Sequence, residues 1–135
     1  GRPGSSAAPR ADGVGTGGAV YVFLKLDSGL SDILPPTLYA AQLPLVVVNN
    51  RPSALERYVV VGHCCESADL LTPHPDDSEV VATRLLQKAE IGDLLVIEGA
   101  GAYCASMSAR NYNSFPRTPD VMRRLDGSFV EITES

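Results

Sequence analysis

Apolar residues fall in short runs along this chain, broken by turn-forming residues, and that pattern predicts strands far more than helices. The first run, Ala19 to Leu26, carries Tyr21 and Phe23 among aliphatics without clean alternation, as expected of a strand buried on both faces. Asp27-Ser28-Gly29 turns the chain. Ser31 or Asp32 is placed to cap a short helix, but Pro35-Pro36 pushes the residue before it out of the α region, leaving Thr37 to Gln42 room for one turn at most. Leu45 to Val48 reads as a second strand, closed by Asn49-Asn50 and Arg51-Pro52, and Tyr58 to Val61 as a third. Between Asp69 and Ala89 the signals conflict. Pro73, Pro75 and Asp76-Asp77 favour a loop, while Val80 to Lys88 fits an amphipathic helix capped by Asp76 or Asp77. Gly92-Asp93 turns into a strand at Leu94 to Ile97, and Asp126-Gly127 between Val121–Leu125 and Ser128–Ile132 is a strong hairpin signal. Five or six short strands with little helix predict a mainly β fold, a barrel or sandwich.

Residues 1–18, rich in Gly, Ala, Ser and Pro, read as a disordered lead-in, tag or linker, and residues 19–135 as one β domain. A length of 135 residues suits a single core. The net charge of −5 and pI near 4.9 argue against nucleic acid or an anionic membrane as partner. No run of 18 apolar residues spans a bilayer, and the start lacks the apolar centre of a signal peptide. Three cysteines are an odd number, and adjacency disfavours a Cys64–Cys65 disulfide, so free thiols in a reducing compartment are expected.

The chemistry concentrates in V-V-V-G-H-C-C-E-S-A-D, Val59 to Asp69, where an apolar strand stops at Gly62 and delivers two thiols and two carboxylates. An unpaired cysteine is most often a small buried hydrophobe, a reading that the placement of Cys65 at a strand end beside Cys64, Glu66 and Asp69 weakens. A zinc site from His63, Cys64 or Cys65, and Cys104 is disfavoured, because adjacent cysteines lack the separation that brings both sulfurs to one tetrahedral ion. A thiol protease needs a histidine base, and only His63 and His74 are available. The G-A-G-A-Y segment, Gly99 to Tyr103, lacks the Walker lysine and the G-x-G-x-x-G spacing. It reads either as a close backbone approach that aims Tyr103 into a pocket or as a turn with a core tyrosine.

Two segments together carry a family resemblance. Cys65-Glu66-Ser67-Ala68-Asp69 resembles the C-E-S-G-D motif of diaminopimelate decarboxylases. Gly101-Ala102-Tyr103, Ser106-Met107-Ser108 and Asn111-Tyr112-Asn113-Ser114 resemble that family's G-A-Y-G-x-S-M-S-S-N-Y-N-S. Weaker matches lie in the same order at Asp27, Gly29 and Asp32, at Pro36-x-x-Tyr39, and at Ile91 to Ile97. Ornithine decarboxylases carry C-D-G-x-D instead, so Glu66-Ser67 favours the diaminopimelate branch.

The resemblance implies the C-terminal β domain, Greek-key-like, of a fold-type III decarboxylase using pyridoxal 5'-phosphate. Such enzymes hold the cofactor on a lysine of an N-terminal barrel and complete the site across a homodimer. No segment here resembles the lysine-bearing, Gly-rich or E-P-G-R motifs of that barrel, so the isolated chain is expected to be inactive. By resemblance, Cys65 is the catalytic thiol that governs protonation after carbon dioxide departs, and Glu66 recognises the distal ammonium of a small amino-acid substrate. Tyr103 binds the cofactor and borders the substrate, and Tyr39 lines the substrate site. The implied partners are the N-terminal barrel and a second subunit, with no nucleic acid and no membrane. The implied location is the cytoplasm, with the plastid stroma as alternative.

Departures from the family pattern are specific. Pro35 replaces the arginine of R-P-x-x-Y that grips the distal carboxylate, Cys104 and Gly99 replace a glycine and an aspartate, and Ala109-Arg110 implies one inserted residue. Proline cannot act as a bidentate clamp, so Arg110 is a candidate replacement for that charge. A non-catalytic binding or regulatory relative that kept the β domain is the alternative reading.

Overall fold

The computed structural model describes residues 20–133. The lead-in assigned to residues 1–18 lies outside the described residues. Nine strands form one three-stranded and three two-stranded sheets among the described residues, with two short α-helices, so the mainly β expectation is met.

The organising strand is β3 (Leu55–Val61), longer at its start than the sequence pattern indicated. It pairs in parallel with β1 (Val22–Lys25) and antiparallel with β6 (Arg84–Gln87), in the order β1-β3-β6. Its second half carries the core. Val59 and Val60 are fully buried, and Tyr58, Leu86, Leu45 and Val47 join Val60 in one apolar cluster. Full burial of a valine contributes about 1.5–3 kcal/mol, so this half of β3 is a stiff base for whatever follows it.

β2 (Leu45–Val48) pairs antiparallel with β7 (Leu94–Ile97). All four β2 residues are apolar, yet burial alternates, with Leu45 and Val47 inside and Val46 and Val48 outside. Opposite them, Leu94 and Val96 of β7 are also exposed, which leaves an apolar outer face on this ribbon. Past the end of β2, the Arg51 guanidinium grips the Asp93 carboxylate at the start of β7, with one bond of 3.0 Å from Nη1 to Oδ1 and a second from Nη2 to Oδ2.

Two expectations are corrected. β1 is not buried on both faces: Val22 and Phe23 are exposed, because among the described residues only β3 pairs with it. Nor does Val80 to Lys88 form a helix. β4 (Pro73–His74) and β5 (Asp77–Val81) make a small hairpin, and β6 follows through a two-residue break. β-Branched Val80 and Val81 suit that hairpin, and pairing with β3 decides the conformation of residues 84–87.

The helix α1 (Pro35–Tyr39) starts at the proline pair instead of after it, since a proline at the first helical position loses no hydrogen bond. It ends on Ala40 in the left-handed region (φ 56°), whose N–H reaches the Pro36 carbonyl at 3.0 Å. The second helix, α2 (Cys104–Met107), follows the G-A-G-A-Y turn, and a 3-10 turn at Tyr112–Ser114 follows that. The Asp126-Gly127 hairpin forms as read, from β8 (Val121–Arg123) and β9 (Phe129–Glu131).

Glycine is required where β3 ends. An ideal Cβ at Gly62 falls 2.1 Å from Asp69 Oδ2, whereas one at Gly101 meets nothing within 4 Å. Replacing Gly62 by alanine should therefore cost about 3 kcal/mol, and Gly101→Ala about 0.5 kcal/mol at most. Urea denaturation of the two variants checks the contrast.

Candidate functional site

Residues 62–69 close into a loop because both ends are paired. Gly62 N–H donates to the Asp69 carbonyl at 2.9 Å, Val61 bridges Leu70, and Leu71 N–H returns to the Val60 carbonyl at 2.9 Å. The Asp69 side chain turns into this loop and is buried. Its Oδ2 accepts from Cys64 N–H and its Oδ1 from Leu30 N–H, both at 2.8 Å. One carboxylate thus ties the thiol loop to the Gly29-Leu30 turn, and Gly29 and Gly62 are the residues whose missing side chains make room for it. His63 N–H adds a bond to the Ser28 carbonyl at 3.0 Å.

Cys65 and Glu66 stand exposed at the crest of that loop. Cys65 N–H donates to Asn113 Oδ1 at 2.7 Å, a contact spanning 48 residues of chain. Glu66 Oε1 accepts from Ser67 Oγ and Ala68 N–H, each at 3.2 Å, and Oε2 accepts from the Tyr112 hydroxyl at 3.4 Å. The Ala68 N–H, then the Ser67 hydroxyl, with a smaller part from Tyr112, hold the Glu66 carboxyl below its ordinary value. Partial desolvation, then the negative charge of Glu66, push the Tyr112 phenol up, so it stays a donor near neutrality. Desolvation, with Asp69 second, likewise raises the Cys64 thiol.

The turn that meets this crest is held in an unusual backbone. Asn111, Asn113 and Ser114 all have positive φ (64°, 51° and 61°), and Tyr103 has φ 66°. Asparagine tolerates that region better than most residues, which explains the N-Y-N spacing. His63 Nε2 lies 3.0 Å from Ser31 Oγ, and its ring stacks on Phe115 with centroids 3.7 Å apart and planes 7° apart. Neither His63 nor His74 contacts Cys65 through a hydrogen bond among the described residues, so no thiol–imidazole pair forms.

Tyr39 and Tyr103 are exposed, at 57% and 67%, and their hydroxyls have no hydrogen-bond partner among the described residues. Tyr103 is thus neither a core tyrosine nor enclosed in a pocket of this chain. α1, which carries Tyr39, is fastened to the thiol loop by Thr37 Oγ1 donating to the Ala68 carbonyl at 2.8 Å. Pro35 is buried in that helix. Cys104 is buried, and all three cysteines are unpaired thiols. Arg110 is exposed and makes a 3.4 Å contact to the Ala105 carbonyl. Sequence reasoning assigned no role to Thr37, Asn113 or Phe115, and only the paired asparagines gave a local signal.

The mainly β domain exposes the Cys65 thiol and the Glu66 carboxylate on the loop after β3, and the Tyr39 and Tyr103 phenols at the end of α1 and on the turn before α2. The chain belongs to the family described as pyridoxal-dependent decarboxylase, C-terminal sheet domain, whose family model matches residues 10–101. Within that family it is similar to diaminopimelate decarboxylases. The enzyme of Buchnera aphidicola subsp. Baizongia pistaciae is 37% identical over 106 residues, covering 74% of this chain and 24% of that protein. A crystal structure of a diaminopimelate decarboxylase superposes with a TM-score of 0.74 at 34% identity, covering 82% of this chain and 26% of the other. The Helicobacter pylori enzyme, solved in complex with L-lysine, matches with a TM-score of 0.65 at 34% identity, covering 82% and 24% of the two chains. The chain therefore spans about a quarter of the length of these relatives.

The residues present fit a cofactor of this family as contributors and not as its sole holders. The unpaired Tyr103 phenol suits a phosphate or phenolate acceptor, but neither of the two lysines of the chain, Lys25 and Lys88, lies in the thiol loop or in the segment from Gly99 to Ser114. No helix of the described residues is long and apolar enough to cross a membrane.

Because Glu66 titrates below its ordinary value in the folded chain, its hydrogen bonds favour the fold at neutral pH, and that contribution disappears as the pH falls through the folded value. Tyr112→Phe should move Glu66 part of the way back up, while Ser67→Ala should move it further. Carboxyl NMR titration of the three proteins reads both shifts.

Proposed function

We propose that this chain is the C-terminal domain of a diaminopimelate decarboxylase, completing the site in which meso-diaminopimelate becomes L-lysine and carbon dioxide. The observation that supports this most directly is the crest of the β3 loop, where Cys65 and Glu66 stand exposed and are engaged by the Asn113 and Tyr112 side chains. A second support is the apolar surface left open on β1 and on the β2–β7 ribbon, which suits burial against a further domain or subunit. That domain is the N-terminal barrel, and the assembly is a homodimer.

Pyridoxal phosphate, when bound, supplies the sink for the electron pair left as the bond to the departing carboxylate breaks. Cys65 delivers the proton that forms the new carbon–hydrogen bond, a role that needs a positioned thiol at the protein surface facing the site. Glu66, an acceptor held ionised by its own loop, pairs with the distal ammonium of the substrate, and the Tyr112 hydroxyl steadies the same carboxylate. Tyr103 donates to the cofactor, and Tyr39 borders the substrate. Arg110 supplies the positive charge that Pro35 cannot. The protein works in a reducing compartment, the cytoplasm or a plastid stroma, where its free thiols persist.

The buried Pro35 favours one other reading, a non-catalytic relative in which substrate recognition has been lost. Both are tested by assaying carbon dioxide release from meso-diaminopimelate by this domain co-expressed with a matching lysine-bearing barrel. The decarboxylase reading expects activity, a fall in kcat of about a hundredfold or more in Cys65→Ala, and a rise in KM of about tenfold in Glu66→Ala. A stable complex with bound cofactor and no release of carbon dioxide contradicts it and leaves the regulatory relative.

A further inference from the structure

We infer that Asn113 is the positioning residue for Cys65, and that the Asn111–Phe115 turn is built to hold it there. The inference rests on the decarboxylase reading for its consequence in catalysis, but its geometry stands without it. An exposed hydrogen bond ordinarily contributes about 0.5–1.5 kcal/mol, too little by itself to organise a loop against solvent. Here three contacts act from one turn. Asn113 Oδ1 takes the Cys65 N–H at 2.7 Å, Tyr112 donates to Glu66, and Phe115 stacks on His63, two residues before the thiol. The turn reaches this geometry through left-handed backbone at Asn111, Asn113 and Ser114, which disfavours it as a free-standing conformation. Ala109 N–H, donating to the Leu30 carbonyl at 3.0 Å, and Thr118 Oγ1, donating to Asp32 Oδ1 at 2.6 Å, fasten the segment on either side of the turn.

The consequence is a division of work along the thiol loop. Cys64 N–H is held from below by buried Asp69, and Cys65 N–H is held from the side by Asn113. The orientation of the exposed thiol therefore depends on a side chain 48 residues further along the chain, in a separate turn. Asn113→Gly keeps the left-handed backbone at no steric cost and removes only the acceptor, whereas Asn113→Asp keeps both.

The test uses the full-length protein that carries this domain, with two readouts. In Asn113→Gly, iodoacetamide labelling at Cys65, resolved from Cys64 by fragment-ion mass spectrometry, should quicken about threefold or more while buried Cys104 stays unlabelled. In the same variant kcat should fall about tenfold or more with KM changed less than about threefold, and Asn113→Asp should restore both the labelling rate and most of kcat. Labelling of Cys65 and kcat within about twofold of the parent in Asn113→Gly overturns the inference. So does an Asn113→Asp variant no better than glycine. If the parent protein releases no carbon dioxide, the decarboxylase reading fails, and the labelling arm still decides whether Asn113 holds Cys65.

Discussion

The arrangement depends on one buried carboxylate. Asp69 accepts from two backbone N–H groups that lie 34 residues apart in the chain, on Leu30 and Cys64, and it fits only because positions 29 and 62 have no side chain. Each bond to such a group contributes about 1.5–3 kcal/mol, and a buried N–H left without its acceptor costs a comparable amount. The loop from Gly62 to Asp69 therefore has little freedom once β3 is packed. Its crest, Cys65 and Glu66, is exposed without being loose.

That constraint explains why Cys65 and Glu66 sit where they do. The fully buried half of β3 fixes the base, Asp69 fixes the loop, and α1 is attached to the same loop through Thr37 and the Ala68 carbonyl. The Asn111–Phe115 turn closes over the side. Away from this corner the domain presents apolar strands, the outer faces of β2 and β7 and the edge of β1, to its surroundings. The chain spans about a quarter of its relatives' length, and open apolar faces of this kind are characteristic of interaction surfaces.

Much of this was legible in the residues. Strand propensity and turn residues located β2, β7 and the final hairpin, because in those places local preference and tertiary pairing agree. Residues 77–87 were not legible, since Val80 to Lys88 satisfies a helical pattern in isolation and only the partner strand β3 decides against it. The burial of β1 was misjudged for a related reason: an apolar run shows what a strand is able to bury, not what covers it. Cys65, Glu66, Tyr39 and Tyr103 were singled out by the motifs that contain them. The part of Asn113 was hidden, because a side-chain bond across 48 residues leaves no local trace beyond an asparagine suited to left-handed backbone.

The central claim, that Asp69 joins the Leu30 turn to the thiol loop, is tested most directly by amide hydrogen exchange. Leu30 and Cys64 should be protected in the parent protein, and in Asp69→Ala, which removes both acceptors, both should lose protection while the paired amides of β2 and β7 keep theirs. Fast exchange at Leu30 and Cys64 in the parent, or unchanged protection in Asp69→Ala, would contradict the account.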